Sequence, residues 1–339
     1  MRYTQINGQK VSKIALGCMN YYIPLPIEES EISMDQALDA GINLFDTARV
    51  YGSWLDVPNA MGLCERILGD YMKKRGNRDK IVLATKGSHP PFDNMTLNRL
   101  TKKEIVSDLD ASLKDLGTDY VDIWFLHRDN PACDLFEVMD TLNEQVKAGK
   151  IRTLGASNWT MKRILEANKL AEENGLTPFR VSQIEWSMAY LEKSHLGDPT
   201  TLVMDETELA AYKAHPEVAL MLFSSQSRGF FQRAIAAGGF EALKAQEIAN
   251  GRYEEVTALT RKYDYPCNRA RLKVVEEIAK RHGVDPAAVG IAYLTCQPDV
   301  DAIPILGYSK LSQLSESMAH MDLTLTPDEI KEILGGEAL

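Results

Sequence analysis

The sequence has no long apolar run and no cluster of basic residues. No stretch approaches the roughly 20 apolar residues that a membrane-spanning helix needs, and the opening segment MRYTQINGQK lacks the apolar centre of a secretory signal. The formal net charge of −10 disfavours binding to nucleic acid or to an anionic membrane surface. We therefore expect a cytoplasmic protein that binds neither nucleic acid nor a membrane.

Cysteine is also scarce, with five residues scattered over 339 positions and no CxxC pair. An odd, dispersed set without an export signal is typical of reduced thiols rather than disulfides. The spacing gives no support for structural zinc, and we expect no metal ion. Most of these cysteines are expected to be small buried apolar residues.

The chain does contain eight short apolar runs, each followed by a helical pattern. Runs of four to eight residues rich in Val, Ile, Leu and Phe are typical of strands that are buried on both faces. The eight runs are KIALGC, INLFDTA, IVLATKG, YVDIWFLHR, IRTLGASN, RVSQIEWS, ALMLFSSQ and VDAIPILGY.

The segments between these runs have the spacing of amphipathic helices. In KKEIVSDLDASLKDLG, Thr101 is placed to cap the helix and Gly117 to end it. A second segment, MKRILEANKLAEENG, also closes with glycine. The first helix has one apolar face, which is formed by Ile105, Leu109, Leu113 and Leu116.

Alternating strands and helices predict parallel strands joined by right-handed crossovers. No strand is followed by GxGxxG, so the open dinucleotide-binding sheet lacks its phosphate loop. Eight units in this length predict an α/β fold of the (β/α)8 barrel type, with residues 1–339 as one domain. The first residues predict a hairpin at Asn7-Gly8 that covers the N-terminal end of the barrel.

Two segments interrupt the regular spacing. Residues 190–205 contain Gly and Pro and are predicted to form a loop. Residues 228–268 are predicted to be an insertion with a helical stretch over 240–262. Long βα loops carry binding specificity in barrels, so both are expected on the functional face.

Four polar side chains lie at or just after strand ends. Asp46 closes the second strand, Lys86 the third and His127 the fourth, and Tyr51 follows Asp46 by one short loop. Because parallel barrel strands end at one face, these residues are expected to converge. A phenol titrates near pH ~10 and a neighbouring ammonium lowers its pKa. An aspartate would hold the lysine in place, and a histidine would lie beside the tyrosine. Together these residues predict a general acid that faces a carbonyl oxygen.

The chain resembles the aldo-keto reductases in seven segments that follow the order of that family. The resemblance runs from the hairpin to about Leu334. The matching segments are FDTARVYG, LATKG, FLHRDN, LGASNW, SQIEWS, LFSSQSRGFF and AIPILGYSKLSQLSES.

The resemblance implies reversible reduction of a small aldehyde, ketone or sugar-like carbonyl by a nicotinamide cofactor, without a metal. It implies that Tyr51 is the general acid, that Lys86 lowers its pKa, that Asp46 pairs with Lys86, and that His127 orients the carbonyl. NADP(H) is favoured over NAD(H).

The resemblance also implies a set of cofactor-binding residues. Besides Asp46, the strand ends and loops nearest the nicotinamide contribute Gly17, Cys18, Met19, Ser157, Asn158, Gln183 and the stacking Trp186. The pyrophosphate is expected along Ser224, Ser225, Gln226, Ser227, Arg228 and Gly229. The adenosine end is expected among Leu306, Gly307, Tyr308, Ser309, Lys310, Gln313, Glu316 and Ser317.

The chain departs from the family pattern at the adenosine end, where many relatives carry an arginine. Lys310 can meet a 2′-phosphate only as a point charge, without the bidentate fork of arginine. The substrate pocket is expected to include Tyr21, Tyr22, Trp54 and Arg128. Trp54 either stacks on a substrate ring or anchors its loop. Arg49 and Arg128 either meet an anionic substrate or form ion pairs with Glu65 or Asp129.

Two other functions stay open at this stage. A barrel with a strand-end lysine can be a Schiff-base aldolase, in which Lys86 attacks a carbonyl substrate. That reading leaves GASNW, QIEWS and the C-terminal segment unexplained. The other alternative is a regulatory subunit that binds the cofactor with little turnover. The sequence decides neither the direction of the reaction nor whether the protein forms a homo-oligomer.

Overall fold

The computed structural model describes residues 1–255 and 258–335, and a closed barrel of eight parallel strands forms its centre. The strands follow one another around the barrel in chain order, and the last pairs with the first. A two-stranded antiparallel hairpin, β1 and β2, precedes them. The (β/α)8 prediction is therefore confirmed. The strands are β1 Tyr3–Ile6, β2 Gln9–Ser12, β3 Ala15–Gly17, β4 Leu44–Asp46, β5 Val82–Gly87, β6 Val121–Leu126, β7 Ile151–Ser157, β8 Phe179–Glu185, β9 Ala219–Phe223 and β10 Ala302–Leu306.

Helices surround the barrel and bury their apolar faces against the outside of the strands. Within the described residues they are α1 Ile27–Asp39, α2 Leu63–Arg75, α3 Lys102–Leu116, α4 Leu135–Lys147, α5 Met161–Glu173, α6 Glu206–Ala214, α7 Phe230–Ala237, α8 Phe240–Ala249, α9 Leu259–Lys262, α10 Pro266–His282, α11 Pro286–Thr295, α12 Leu311–Met318 and α13 Pro327–Leu334.

The helix α3 forms as its sequence predicts. The side chain of Thr101 accepts a hydrogen bond from the backbone N–H of Glu104, which satisfies one of the free donors at the helix start. Gly117 ends the helix with a φ of 64°, a left-handed conformation that glycine adopts without steric cost. All four predicted apolar positions are buried.

The hairpin closes the N-terminal end of the barrel. Asn7 and Gly8 both have positive φ, as a two-residue hairpin turn requires. Ile6 and Val11 enter the cluster of side chains that fills the barrel interior. Gln9 donates a hydrogen bond to Asp122 at the start of β6 over 3.0 Å. The barrel is thus sealed at this end, and the opposite end remains for a site.

The barrel interior is filled by side chains, with Phe125 of β6 among them. Gly155 on the neighbouring strand β7 leaves the space that this ring occupies. A Cβ atom at Gly155 would lie 2.5 Å from the ring of Phe125, closer than atoms can approach. Glycine is therefore required here by the packing of the core.

The insertion before the last repeat differs from its prediction. The single helical stretch over 240–262 was wrong, because α8 ends at Ala249 and α9 begins at Leu259. Gly251 turns the chain with a φ of 66°, and the carboxylate of Glu247 accepts backbone hydrogen bonds from Leu259 and Thr260. Residues 256 and 257 of this stretch, and 336–339 of the predicted domain, lie outside the described residues. An additional helix, α7, precedes α8.

The segment 190–205 is a loop, as predicted, with one short 3-10 turn at Lys193–His195. All five cysteines are free thiols, and three of them are buried. None of the helices in 1–255 and 258–335 is long and apolar enough to cross a membrane. In the same residues, no three His, Cys, Asp or Glu side chains come together as a metal site would require.

The hairpin plug gives a prediction on stability. Replacing Ile6 by Ala should lower the free energy of unfolding by about 2–5 kcal/mol, because it leaves a cavity at the end of the barrel. Gln5→Ala, one residue away on the exposed face of β1, should change it by less than about 0.5 kcal/mol. Chemical denaturation followed by circular dichroism measures both. Equal effects of the two substitutions would contradict a sealing role of the hairpin.

Candidate active site

The open end of the barrel is organised around a buried ion pair between Lys86 and Asp46. These residues lie at the ends of β5 and β4, and their side chains are 1% and 4% exposed. Lys86 Nζ lies 2.7 Å from Asp46 Oδ2 and 2.8 Å from the carbonyl oxygen of Thr47. The other oxygen, Asp46 Oδ1, accepts a hydrogen bond from Gln183 Nε2 over 2.8 Å. Burial acts to lower the pKa of Lys86, but Asp46 and Tyr51 outweigh it and raise that pKa, so the lysine is a fixed cation.

Tyr51 stands on the loop after β4, beside this cation. Lys86 Nζ lies 5.0 Å from the centre of its ring, and the ring meets that of His127 edge to face at 6.0 Å. Burial raises the pKa of Tyr51 above its ordinary value, while Lys86 acts in the opposite direction. The sequence anticipated the effect of Lys86 but not the larger effect of burial, which keeps the phenol protonated across the neutral range.

His127 follows β6 and is held in place by its backbone. Its N–H donates to the carbonyl oxygen of Gly87, and its own carbonyl accepts from the amide of Asn158. Burial lowers the pKa of His127 well below its ordinary value, and the positive charge of Arg128 adds to this. The imidazole is therefore neutral, and it can hydrogen-bond a polar substrate atom beside Tyr51.

Beside the ion pair, a second group of side chains forms a polar shelf across β7 and β8. Ser157 Oγ donates to the carbonyl oxygen of Gln183 over 3.0 Å, and Asn158 Nδ2 donates to Ser157 Oγ over 3.0 Å. Asn158 has a φ of 61°, and its Oδ1 accepts from the N–H of Leu202. Trp186 is buried next to this shelf, and its indole N–H has no hydrogen-bond partner among the residues that the structure describes. The shelf offers amide and hydroxyl groups of the kind that would hold a carboxamide.

The loop after β9 turns through several residues in the left-handed conformation. Ser224, Ser227 and Arg228 adopt positive φ values of 51° to 53°, and glycine follows them. The backbone N–H groups of Ser227 and Gly229 donate to the carbonyl oxygens of Ser224 and Gln226, so the loop is held by its own hydrogen bonds. Arg228 in this loop is exposed and has no ion pair in the described part of the chain, so its cation is available to an anionic group.

The segment after β10 joins this loop from the other side. Gln226 Nε2 donates to Ser317 Oγ over 2.8 Å, which connects the loop to α12. Ser309 donates to Gln313 Oε1 from both its N–H and its hydroxyl. Lys310 is exposed and, among residues 1–255 and 258–335, has no ion-pair partner. Two further residues that the sequence assigned to the cofactor, Gly307 and Glu316, are also exposed on this segment.

Several residues that the sequence assigned to the cofactor or the pocket have side chains in the core. Ser225 Oγ donates to the carbonyl oxygen of Ile305, and Tyr308 Oη donates to Ser33. Tyr21 is buried, with its hydroxyl 3.4 Å from that of Tyr308. The side chains of Cys18 and Leu306 are also fully buried. Such residues can contribute only backbone atoms there.

The loop after β3 brings exposed side chains to the rim of the site. Gly17 pairs with Asp46 in the barrel, and a Cβ atom at Gly17 would lie 2.6 Å from the carbonyl oxygen of Leu306. Met19 and Tyr22 are exposed beyond it, unlike Tyr21. Of the two expected pocket tyrosines, the structure therefore leaves one accessible to a ligand.

Both arginines near the site are used in ion pairs. Arg49 binds Glu65 at 3.3 Å and also contacts Asp115, in agreement with the structural alternative. Arg128 binds Asp198 at 2.9 Å, from the loop 190–205, rather than the expected Asp129.

Sequence reasoning missed an aromatic group on the loop after β5. His89 packs against His127 with ring centres 4.7 Å apart, and Phe92 lies 5.2 Å from His89. Trp54 meets both Tyr51 at 6.2 Å and Phe92 at 6.3 Å. The segment KGSHPPF follows a barrel strand directly, so the rule that strand ends converge would have identified it.

The fold and the side chains at its open end define a (β/α)8 barrel enzyme with a site at the carboxyl ends of the strands. Comparison with known proteins specifies the family. Residues 13–335 match the model of the aldo/keto reductase family, so the chain belongs to that family. The family uses nicotinamide cofactors and acts on small-molecule carbonyl substrates, and this protein is an oxidoreductase.

Relatives of known name are similar over nearly their whole length. The chain is 29% identical to protein tas of Escherichia coli, over 98% of this chain and 96% of that protein. It is also 29% identical to the versiconal hemiacetal acetate reductase of Aspergillus parasiticus, over 98% and 95%. The aldo-keto reductase yakc [NADP(+)] of Schizosaccharomyces pombe is 26% identical over 97% and 89%.

The central ion pair gives a prediction on stability. Replacing Asp46 by Asn should lower the free energy of unfolding by about 3–5 kcal/mol, because the ammonium of Lys86 stays buried without its counter-charge. The control is Glu144→Gln, which breaks the exposed 2.8 Å pair with Lys102 and should change the free energy of unfolding far less, because solvent screens that pair. Urea denaturation at neutral pH measures both. A cost for Asp46→Asn no larger than that of the control would show that the buried pair is dispensable.

Proposed function

We propose that the protein reduces the carbonyl group of a small aldehyde, ketone or sugar-like compound to an alcohol, reversibly and with a nicotinamide cofactor. The observation that carries this proposal is the phenol of Tyr51 between a fixed lysine cation and a neutral histidine. Tyr51 thus has a hydroxyl proton to donate and lies in contact with both Lys86 and His127.

Each of the four residues has a distinct part in this reaction. Tyr51 donates a proton to the carbonyl oxygen, and its phenolate is stabilised by Lys86 until solvent returns the proton. Asp46 keeps Lys86 charged and in place. His127 hydrogen-bonds the same oxygen and orients the carbonyl. A bound reduced nicotinamide would supply the hydride to the carbonyl carbon.

The cofactor fits the open end on several observations. The polar shelf of Ser157, Asn158 and Gln183 lies beside Asp46, where a carboxamide would bind. The exposed cation of Arg228, on the positive-φ loop after β9, suits a pyrophosphate. The exposed cation of Lys310 favours NADP(H) over NAD(H), since it can meet a 2′-phosphate, and the yakc relative is named for NADP(+).

Replacing Tyr51 by Phe tests the proposed chemistry. Turnover of NADPH with a panel of aldehydes and ketones should fall by about 10²- to 10⁴-fold, because the proton donor is lost. Binding of NADPH, measured by fluorescence titration, should remain, since the phenol hydroxyl holds none of the cofactor groups named above. Turnover that survives the substitution would exclude Tyr51 as the acid.

Replacing Lys310 by Ala tests the cofactor assignment. The dissociation constant of NADPH should rise by roughly 5-fold, about 1 kcal/mol for one exposed ion pair, while that of NADH should stay the same. Lys147→Ala, on the far end of α4, serves as the control. Equal weakening of both cofactors would place Lys310 away from the 2′-phosphate.

A further inference from the structure

A second histidine lies beside the proposed catalytic residues and has no role in the mechanism above. His89 follows β5 by two residues, and its ring stands at 73° to that of His127 with centres 4.7 Å apart. The two imidazoles therefore pack edge to face, next to Tyr51.

The hydrogen bonding of His89 fixes which of its nitrogen atoms carries the proton. Nδ1 bonds to the carbonyl oxygen of Pro90, which can only accept, so Nδ1 is the protonated nitrogen. Burial lowers the pKa of His89 to about 4, and the charge of Arg128 adds to the effect. The ring is therefore neutral at physiological pH, and Nε2 is left with a bare lone pair.

The lone pair of His89 is available to a ligand. Nε2 has no hydrogen-bond partner among the described residues, and it is not one of the buried polar atoms sealed from solvent. His127 differs, because its Nδ1 is buried and has no hydrogen-bond partner within residues 1–255 and 258–335, while its ring packs against that of Tyr51. A donor pair, Tyr51 and His127, thus stands beside an acceptor.

The two arginines near this space already have partners. Arg128 is occupied by Asp198, and its Nε also donates to Thr200 over 3.0 Å. Arg49 is occupied by Glu65. Neither guanidinium is free to bind a carboxylate or phosphate group of a substrate, so a neutral polar ligand matches the site better.

An aromatic pair covers the outer side of the same space. Trp54 is 47% exposed and Phe92 is 57% exposed, and they meet at 6.3 Å although they come from different loops. Exposed aromatic side chains that meet beside a polar cluster are typical of a ligand site. They suit the apolar C–H face of a hydroxylated compound.

We propose that His89 accepts a hydrogen bond from a hydroxyl group close to the reacting carbonyl, and that Trp54 and Phe92 pack on the apolar face of the substrate. The substrate class is then a neutral hydroxy-aldehyde or hydroxy-ketone, which the site prefers to its deoxy analogue. This inference rests on the proposed function and makes His89 a residue that determines specificity.

The test compares two aldehydes of equal carbon number, glyceraldehyde and propionaldehyde, as substrates with NADPH. The readout is the ratio of their kcat/KM values, because effects on folding or on the chemical step act on both substrates. Wild-type protein should favour glyceraldehyde. His89→Phe keeps a ring but removes the acceptor, and should lower the ratio by about 3- to 10-fold, the effect of one neutral hydrogen bond.

Two further variants separate the acceptor from the packing. His89→Gln places an amide oxygen near the position of Nε2 and should keep most of the preference. His89→Asn places its amide near the position of Nδ1 and should lose the preference while keeping the bond to Pro90. The control, His215→Phe, lies before β9 at the opposite end of the barrel and should leave the ratio unchanged. In wild type the ratio should be constant over neutral pH and fall only as the pH approaches about 4.

The outcomes distinguish this inference from the proposed function. If wild type reduces propionaldehyde at least as well as glyceraldehyde, or if His89→Gln loses as much of the ratio as His89→Phe, the inference is overturned and the reductase stands. If wild type oxidises NADPH with neither aldehyde nor with a wider carbonyl panel, the proposed function itself fails.

Discussion

The buried ion pair of Lys86 and Asp46 is the interaction on which the site depends. Two charges are removed from water, and they are tolerated because every strong donor and acceptor finds a partner, including Thr47 and Gln183. A buried pair of this kind is weak evidence for stability, since packed apolar residues would serve as well. Its presence at the open end of the barrel is better explained by chemistry. Its hydrogen bonds also hold the ends of β4, β5 and β8 in fixed positions relative to one another.

The same pair determines how the neighbouring groups titrate. A fixed cation beside Tyr51 opposes the effect of burial on the phenol, and together with Arg128 it contributes to keeping His127 neutral. The protein as a whole is acidic, with a net charge of −10. Arg228 and Lys310, which are exposed and have no ion-pair partner in the described part of the chain, nevertheless lie where phosphate groups are proposed. Local placement, rather than total charge, therefore decides which ligands the open end attracts.

The loops after the strands add selectivity to this frame. Asp198 of the loop 190–205 forms an ion pair with Arg128, next to His127. The loop after β5 contributes His89, the proposed hydrogen-bond acceptor, and the aromatic ring of Phe92. The insertion 228–268 connects to the frame through Lys262, which lies 3.3 Å from Glu185 at the end of β8. Segments that interrupt the regular repeat thus contact the strand ends, where an enzyme distinguishes one carbonyl compound from another.

The sequence by itself determined the barrel, the hairpin and the four polar strand ends, because period and strand length report local geometry directly. It also determined the boundaries of α3, because Thr101 caps the first turn of that helix and Gly117 ends the last turn, and both effects are local. Only the tertiary structure decided that Tyr21 turns into the core and that Asp198, 70 residues away, occupies Arg128. Those outcomes depend on burial and on partners distant in the chain, and no local pattern encodes either.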